Sequence, residues 1–543
     1  MDTVEQLLRR FEELNEIGVA LSIEKDINAL LEKILVAAIK ISNADGGTLY
    51  LMSDDQTSLK FKIVRNKSLG INMGGTSGQP VPFPPMPLWS PDGSPNTAMV
   101  AAYCAIHQKT VNIPNAYHVN EFDFSGPRQF DQNYGYHSQS FLTVPMKNHE
   151  NEIIGVLQLI NAINADTGKV VAFSHAEQRL AESLASQAAM ALSNRQLILQ
   201  QETLFESFIG MINFAIDDKS THTGEHCQRV PELTMMLAEA VAETTEGPFA
   251  SFSMTNEDRY ELRIAGLLHD CGKITTPVHV VDKATKLQTI FDRIELVDTR
   301  FEVLKRDAEI AMLMACLALR RQAGAGSEEA LQHDFRKQIA QIERDREFLR
   351  QMNIGCESMP AENQQRVCDI GVRRQWINPR GEKSNFLTAD EIENLCVRSG
   401  TLTKAEREII NNHIIVTIRM LESLPWVKHL QRVPEYAGGH HERMDGKGYP
   451  RGLTREEMSV QARIMGIADI FEALTAKDRP YKIGKTLTES LRILGRQSLK
   501  GHIDPDLFDV FVRKKVYLQY AKQFLDPEQI DEVDHSDIPG YAP

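Results

Sequence analysis

Apolar positions along this chain follow two spacings. Leu7, Phe11, Leu14 and Leu21 recur at helical intervals, and Leu30, Leu31, Ile34 and Leu35 mark a second helix. Beyond Gly46 and Gly47 the period drops to two. Leu59, Phe61 and Ile63 alternate with Lys60 and Lys62, as in a half-buried strand. A stretch rich in Gly and Pro over 70–98 predicts a long loop, and FLTVPMKN and EIIGVLQLINA predict a hairpin turning near Asn148 and Glu150. Together these elements make an α+β domain, an antiparallel sheet with helices, over residues 1–175. From Ala176 to Ile216 the pattern predicts one long helix. Its seam of Leu180, Leu184, Ala191, Ile198 and Phe205 keeps spacings of four and seven, which suits a coiled coil between two copies better than packing on its own domain. Residues 217–525 read as helical, with charged amphipathic helices over about 288–398. The acidic segment 526–543, with two prolines in its last five residues, is expected to be loosely ordered.

Composition narrows the function. The length of 543 residues calls for two or three domains. The net charge of −14, without a basic stripe, argues against duplex nucleic acid as a partner. No run of about 18 apolar residues marks a membrane span, so no membrane insertion is expected. Seven cysteines without a C-x-x-C pair suit free thiols in the cytoplasm.

The chemistry lies in histidines and aspartates on apolar backgrounds. His269-Asp270 ends the run Ile264-Ala265-Gly266-Leu267-Leu268 and enters Gly272-Lys273. His413 shares a helical stripe with Ile409, Ile410, Val416 and Met420; His440-His441 follow Gly438-Gly439; Asp469 falls among Ile464, Met465, Ile467 and Phe471. His226 precedes Val230, Leu233 and Leu237 on a helix that Pro231 is expected to kink or restart. Buried imidazoles and carboxylates are costly unless something satisfies them. A single one is most simply a satisfied core residue. Five histidines and two aspartates have the ligand count of a two-metal site. His333-Asp334 supplies the contrast: it lies in the polar run QHDFRKQIAQIERDRE, where a solvated helix face suffices.

Two families are recognisable. The first segment resembles a GAF domain through Asn112-Ile113-Pro114-Asn115-Ala116, Gly135-Tyr136 and Gly155-Val156-Leu157-Gln158-Leu159. GAF domains bind cyclic nucleotides or other small molecules, or serve only in dimerisation. The nucleotide-binding signature is half present here, at Asn161-Ala162, Phe173 and Glu177-Gln178. The second half is similar to HD-GYP phosphodiesterases. The matching residues are His226-x-x-Arg229-Val230, His269-Asp270-x-Gly272-Lys273, His413, the run His440-His441-Glu442-x-x-Asp445-Gly446-x-Gly448-Tyr449-Pro450, Asp469, and Arg479-Pro480-Tyr481.

That resemblance implies an all-α HD-type domain that hydrolyses cyclic di-GMP to linear pGpG, and on to GMP in some members. Metal ligation falls to His226, His269, Asp270, His413, His440, His441 and Asp469, holding two or three ions of iron or manganese. Lys273 would meet a substrate phosphate and act in catalysis with Asp270. Arg479 and Lys482 would approach the second phosphate or a guanine, while Gly446, Gly448, Tyr449 and Pro450 shape the pocket wall. The competing readings are a slow cyclic dinucleotide receptor signalling through the insertion, and an enzyme for cyclic GMP-AMP. Two features depart from the family. An insertion over about 288–398, expected as a helical hairpin, separates Asp270 from His413, and His222 replaces the usual aromatic or glutamate. His222 is either a third-ion ligand or a polar residue at the cleft mouth. The expected assembly is a homodimer through the long helix.

Overall fold

A computed structural model of the chain describes residues 2–219, 226–322, 327–477 and 484–542, with 2–11 and 322 by backbone alone. The chain divides into two compact units, Met1–Phe205 and Glu206–Pro543.

The first unit opens with α1 (Asp2–Ile23) and α2 (Ile27–Ile41), the latter capped by Asp26, whose side chain accepts from the Ala29 amide at 2.7 Å. The sheet follows: β1 (Ala44–Met52), β2 (Ser58–Asn66), β3 (Ile71–Gly74) and β4 (Met86–Pro87). Then come α3 (Val100–His107), β5 (Val111–Ile113), α4 (Ser125–Tyr134), β6 (Phe141–Lys147), β7 (Ile153–Ile163) and β8 (Val170–Val171). The strands pair antiparallel in the order β3-β2-β1-β7-β6-β5, with β4 added to β2 and β8 to β7. The stretch 70–98, expected as loop, thus contributes two short strands to this sheet.

The long helix α5 spans His175–Lys219. Ala181, Leu184, Ala185, Ala188, Ala189 and Leu192 are buried in one core with Ile34, Leu49 and Leu157. The expected seam is therefore divided. Leu184 belongs to this core and Leu180 and Ala191 pack against it, whereas Ile198 is exposed. Among the exposed apolar positions of α5, which include Ile198, Leu199, Phe208 and Phe214, Met190, Leu197, Leu204 and Met211 recur every seventh residue.

Among the described residues the second unit is helical apart from one small hairpin. α6 (His226–Ala242) continues through Pro231 as one helix, so Pro231 does not restart it, and α7 (Asn256–Leu268) starts from a capping box of Thr255 and Asp258. After a 3₁₀ turn at Cys271–Thr275 comes the short α8 (Val278–Val281). The insertion follows as α9 (Ile294–Gln322), α10 (Glu328–Asn353), α11 (Ala361–Arg373), β9 (Gln375–Ile377), β10 (Lys383–Asn385) and α12 (Ala389–Leu395). The chain continues through α13 (Lys404–Asn411), α14 (His413–Glu422), α15 (Val433–Gly438), α16 (Val460–Thr475), α17 (Leu487–Leu499), α18 (Pro505–Arg513) and α19 (Val516–Phe524).

Two expectations need correction. The insertion is more than a hairpin. Val297, Phe301, Ile342, Leu349, Val367, Phe386 and Leu395 form a core of their own, drawn from α9, α10, α11, α12 and the β-hairpin's edge. The tail after Asp526 is packed rather than loose. Gln529 donates to the carbonyls of Thr475 and Lys485 at 2.9 and 3.0 Å, Arg492 pairs with Asp537 at 2.6 Å, and Ile538 is buried. An acidic composition did not prevent order because each end of the segment finds a defined partner.

Phe301 packs against Phe386 with ring centroids 4.4 Å apart and the rings tilted by 52°, both fully buried. Phe301→Ala is expected to destabilise the second unit by about 3–5 kcal/mol in urea unfolding. An unshifted transition would mean that the insertion folds independently of the helices around it.

Candidate metal centre

The ends of four helices and the middle of a fifth bring the candidate ligands together. His226 starts α6, His269 and Asp270 follow α7, His413 starts α14, His440 and His441 follow α15, and Asp469 lies within α16. Two groups of ligand atoms result, each within 4.8 Å: Asp270 with His413, His440 and His441, and Asp270 with His226 and His269. Asp270 belongs to both. Its Oδ1 lies 3.1 Å from His413 Nε2, while its Oδ2 lies 3.3 Å from His226 Nε2 and 3.4 Å from His269 Nε2. Asp469 Oδ1 is 3.3 Å from His226 Nε2, and the Nε2 atoms of His413 and His441 face each other at 3.2 Å. Atoms that share one cation at about 2.1 Å stand roughly 3 Å apart, as these do.

The imidazoles are held in one tautomer. His269, His413 and His440 each place Nδ1 on a backbone carbonyl three residues earlier, that of Gly266 at 2.6 Å, Ile410 at 2.5 Å and Ala437 at 2.6 Å. A carbonyl only accepts, so Nδ1 carries the hydrogen and Nε2 presents its lone pair. For His269 and His440 that Nε2 is buried and has no hydrogen-bond partner among the described residues. Unpaired lone pairs converging on a shared carboxylate fit a divalent cation.

The electrostatics agree. Burial and the neighbouring His441 and His269 hold His440 well below the usual imidazole range, and burial takes His441 down to about 4. Both are therefore neutral ligands at pH 7. Burial works against the charge of Asp270, yet Lys273 and His269 outweigh it and keep the carboxyl well below its ordinary value. His226 shows the opposite shift. Burial opposes its protonation, but Glu472, Asp270 and Asp469 raise its proton affinity well above normal, as expected where carboxylates converge on one nitrogen and a cation would relieve them.

Supporting groups lie behind the ligands. Glu472 binds His226 Nδ1 through one oxygen and Arg229 Nε at 2.8 Å through the other. The Gly272 amide donates to Thr417 Oγ1 at 2.9 Å, and a Cβ on Gly272 would stand 2.1 Å from the His413 carbonyl, so only glycine lets α14 come this near. Glu442 is buried and accepts from the Arg451 and Leu453 amides at 2.7 and 3.0 Å, closing the loop that carries Gly446, Gly448, Tyr449 and Pro450. A Cβ on Gly448 would meet the Arg443 nitrogen at 2.4 Å, and Gly446 has φ +70°. Tyr449 lies over His441, ring centroids 4.8 Å apart. Lys273 Nζ pairs with Asp270 Oδ2, and that carboxylate keeps the ammonium above its usual pKa against the pull of burial.

Sequence reasoning passed over Glu472, Thr417 and Asp217. Glu472 had a readable signal, a second carboxylate one helical turn after Asp469 in the same apolar run. Asp217, from the last turn of α5, lies by His226 and Cys227, and burial lifts its carboxyl to about 6. His222, Arg479 and Lys482 lie outside the described residues. His333 and Asp334 are exposed on α10.

Comparison with known proteins follows this division. Residues 26–192 match the GAF domain family, and 223–351 and 388–507 match HD domain families. The chain thus combines an antiparallel-sheet GAF domain with a largely helical HD domain. A 3'3'-cGAMP-specific phosphodiesterase 1 of Vibrio cholerae is 38% identical over 155 residues, 27% of this chain and 35% of that protein. A cyclic di-GMP phosphodiesterase of Pseudomonas aeruginosa is 38% identical over 116 residues, 21% of this chain and 27% of its own length. One of Thermotoga maritima is 37% identical over 122 residues, 22% of this chain and 32% of its own. The chain spans about a third or less of the length of these relatives. No described helix is long and apolar enough to cross a membrane.

Because Glu472 fixes His226, Glu472→Gln is expected to weaken metal affinity about 10–100-fold in chelator competition, with the circular dichroism spectrum preserved. Unchanged affinity would remove Glu472 from the site.

Proposed function

We propose that this chain is an HD-GYP phosphodiesterase that opens a cyclic dinucleotide, cyclic di-GMP first, to its linear form. The observation that carries this reading is Asp270, one carboxylate with an oxygen toward each of two histidine groups. Relatives whose names specify cyclic di-GMP or 3'3'-cGAMP phosphodiesterase activity support the substrate class.

Two divalent cations, iron or manganese, held by His226, His269, Asp270, His413, His440, His441 and Asp469, supply the Lewis acidity that a phosphodiester needs. The protein does the rest. Bound to the cations, five imidazoles and only two carboxylates would leave that centre with net positive charge, which would attract an anionic ester despite the chain's overall −14. Lys273 stays protonated beside Asp270 and meets the charge that grows on the phosphoryl oxygens. Tyr449, stacked on His441, walls the site and limits the water that reaches it. Arg479 and Lys482 follow α16 and serve the substrate's second phosphate.

The GAF domain is the regulatory element, whose ligand is a small molecule. α5 begins in the GAF core and ends with Lys219 Nζ on the Ile274 carbonyl, beside the turn that carries Lys273. A homodimer through α5 is supported by the exposed heptad line Met190, Leu197, Leu204 and Met211. Seven free cysteines suit a reducing cytoplasm.

Incubating the full chain with cyclic di-GMP, 3'3'-cGAMP and cyclic di-AMP plus Mn²⁺ or Fe²⁺, with chromatographic separation, tests the activity. Linear dinucleotide is expected, lost on chelation and in Asp270→Ala, and Lys273→Met should cost about a hundredfold in kcat. Intact substrates with a metal-loaded protein would reject the enzyme. Leu204→Lys is expected to shift sedimentation from dimer to monomer, and a monomeric parent would reject the α5 interface.

A further inference from the structure

Three of the seven cysteines, Cys356, Cys368 and Cys396, fall within the insertion and are only half-buried, whereas Cys104, Cys227, Cys271 and Cys316 are buried. Two of the three meet. Cys368, in α11, and Cys396, which caps the C-terminus of α12, stand with their sulfurs 4.0 Å apart. Gln364 holds the two helices in register here, one turn before Cys368. Its side-chain amide donates to the Cys396 carbonyl at 2.8 Å, and the Cys396 thiol donates to the Gln364 carbonyl at 3.6 Å. The Cys356 thiol is directed elsewhere, to the Arg398 carbonyl at 3.9 Å.

The two sulfurs differ in readiness to react. Burial and the neighbouring Cys368 push the Cys396 thiol up to about 12, so it keeps its hydrogen on the Gln364 carbonyl, and Cys368 is the sulfur that meets an oxidant first. Lys286 is wholly buried and near enough to Cys396 for its charge to oppose that rise, so a basic nitrogen stands ready when Cys396 gives up its proton. The same nitrogen holds the Leu395 carbonyl at 3.2 Å, and Lys283 holds Asn394 at 2.7 Å. Cys396 thus directly follows the two residues of α12 that the lysines before the insertion grip.

We infer that Cys368 and Cys396 form a reversible disulfide when the protein meets a peroxide, and that this link acts on the Lys283 and Lys286 contacts joining the two ends of the insertion. The Cys368 sulfur attacks one peroxide oxygen. An S–O bond forms as the O–O bond breaks, and the leaving hydroxide takes the Cys368 proton as water. The Cys396 sulfur then attacks the Cys368 sulfur, an S–S bond replaces the S–O bond, and the departing hydroxide takes the Cys396 proton as a second water. Two thiols lose two electrons, and one peroxide gains them. Bonded sulfurs stand about 2 Å apart, so closing the gap turns both side chains and shifts the end of α12 with them. Exchange with small thiols opens the bond again, which makes the modification a transient signal rather than a permanent brace.

Treating the full chain with hydrogen peroxide, alkylating the remaining thiols and mapping peptides without reduction tests the pairing. A peptide pair joining Cys368 to Cys396 is expected, released by dithiothreitol, lost in Cys368→Ser and retained in Cys356→Ser. The parent's own map decides the pairing, so the result stands even where a variant fails to fold. Cys368 and Cys396 recovered on separate peptides, or a bond from Cys396 to Cys356, overturns the pair. Hydrogen exchange followed by mass spectrometry reads the effect on the lysine contacts. Over residues 389–411 the oxidised parent is expected to exchange at a rate about twofold or more different from the reduced parent, while peroxide leaves Cys368→Ser unchanged there. A disulfide that forms without this difference overturns the coupling to the ends of the insertion.

Discussion

The architecture of the second unit depends on one carboxylate. Asp270 is almost wholly buried and sends its two oxygens to different histidine groups, so α6, α7, α14 and the turn after α15 must all end at the same point. Burying that charge is costly, and the cost is met only when several partners converge on it. Gly272 is the steric condition for this convergence, since the His413 carbonyl occupies the space a side chain would need. The candidate ligands therefore lie far apart in sequence and close together in space for one reason. Each occupies a helix terminus or face that the Asp270 centre requires.

The centre was legible because burial and polarity disagreed so openly there. An imidazole or carboxylate within an apolar run demands explanation, and His269, Asp270, His413 and Asp469 each sit in such a run. The groups behind them were harder to read. Glu472 has a function only through His226, 246 residues away, and Thr417 only through Gly272, which no local pattern reveals. The same limit applies to the insertion. Its charged helices advertise their solvent faces, while the core of Phe301, Phe386 and Leu395 is assembled from segments too far apart to be paired by periodicity. The seam of α5 failed for a related reason. Apolar residues spaced for a coiled coil are equally well spaced to pack on a sheet, and the sheet takes Leu184.

The insertion also enters the mechanics of the centre by a traceable route. Lys283 is fully buried, and its ammonium binds Asn394 of α12 at 2.7 Å and both oxygens of Glu406 of α13 at 2.8 Å. Glu406 is also the N3 partner of Thr403 in the capping box of α13, the helix that runs directly into His413 and α14. Lys286 reaches the Leu395 carbonyl at 3.2 Å from the same side. An interruption of the HD domain by more than a hundred residues is tolerated because its two ends are stapled together. The staple consists of residues that precede the insertion, bound to the residues that close it.

That arrangement gives the two flanks of the centre different mechanical characters. His413 is backed by the Lys283 staple, by Thr417 and by the insertion core, so its position follows the integrity of that core. His226 is backed by Glu472 and Arg229, and Asp217 at the end of α5 stands beside it. A change carried by α5 therefore meets the His226 side first, while a change in the insertion meets the His413 side. Asp270 turns an oxygen toward each of the two histidine groups, so a shift at either group reaches the other through it.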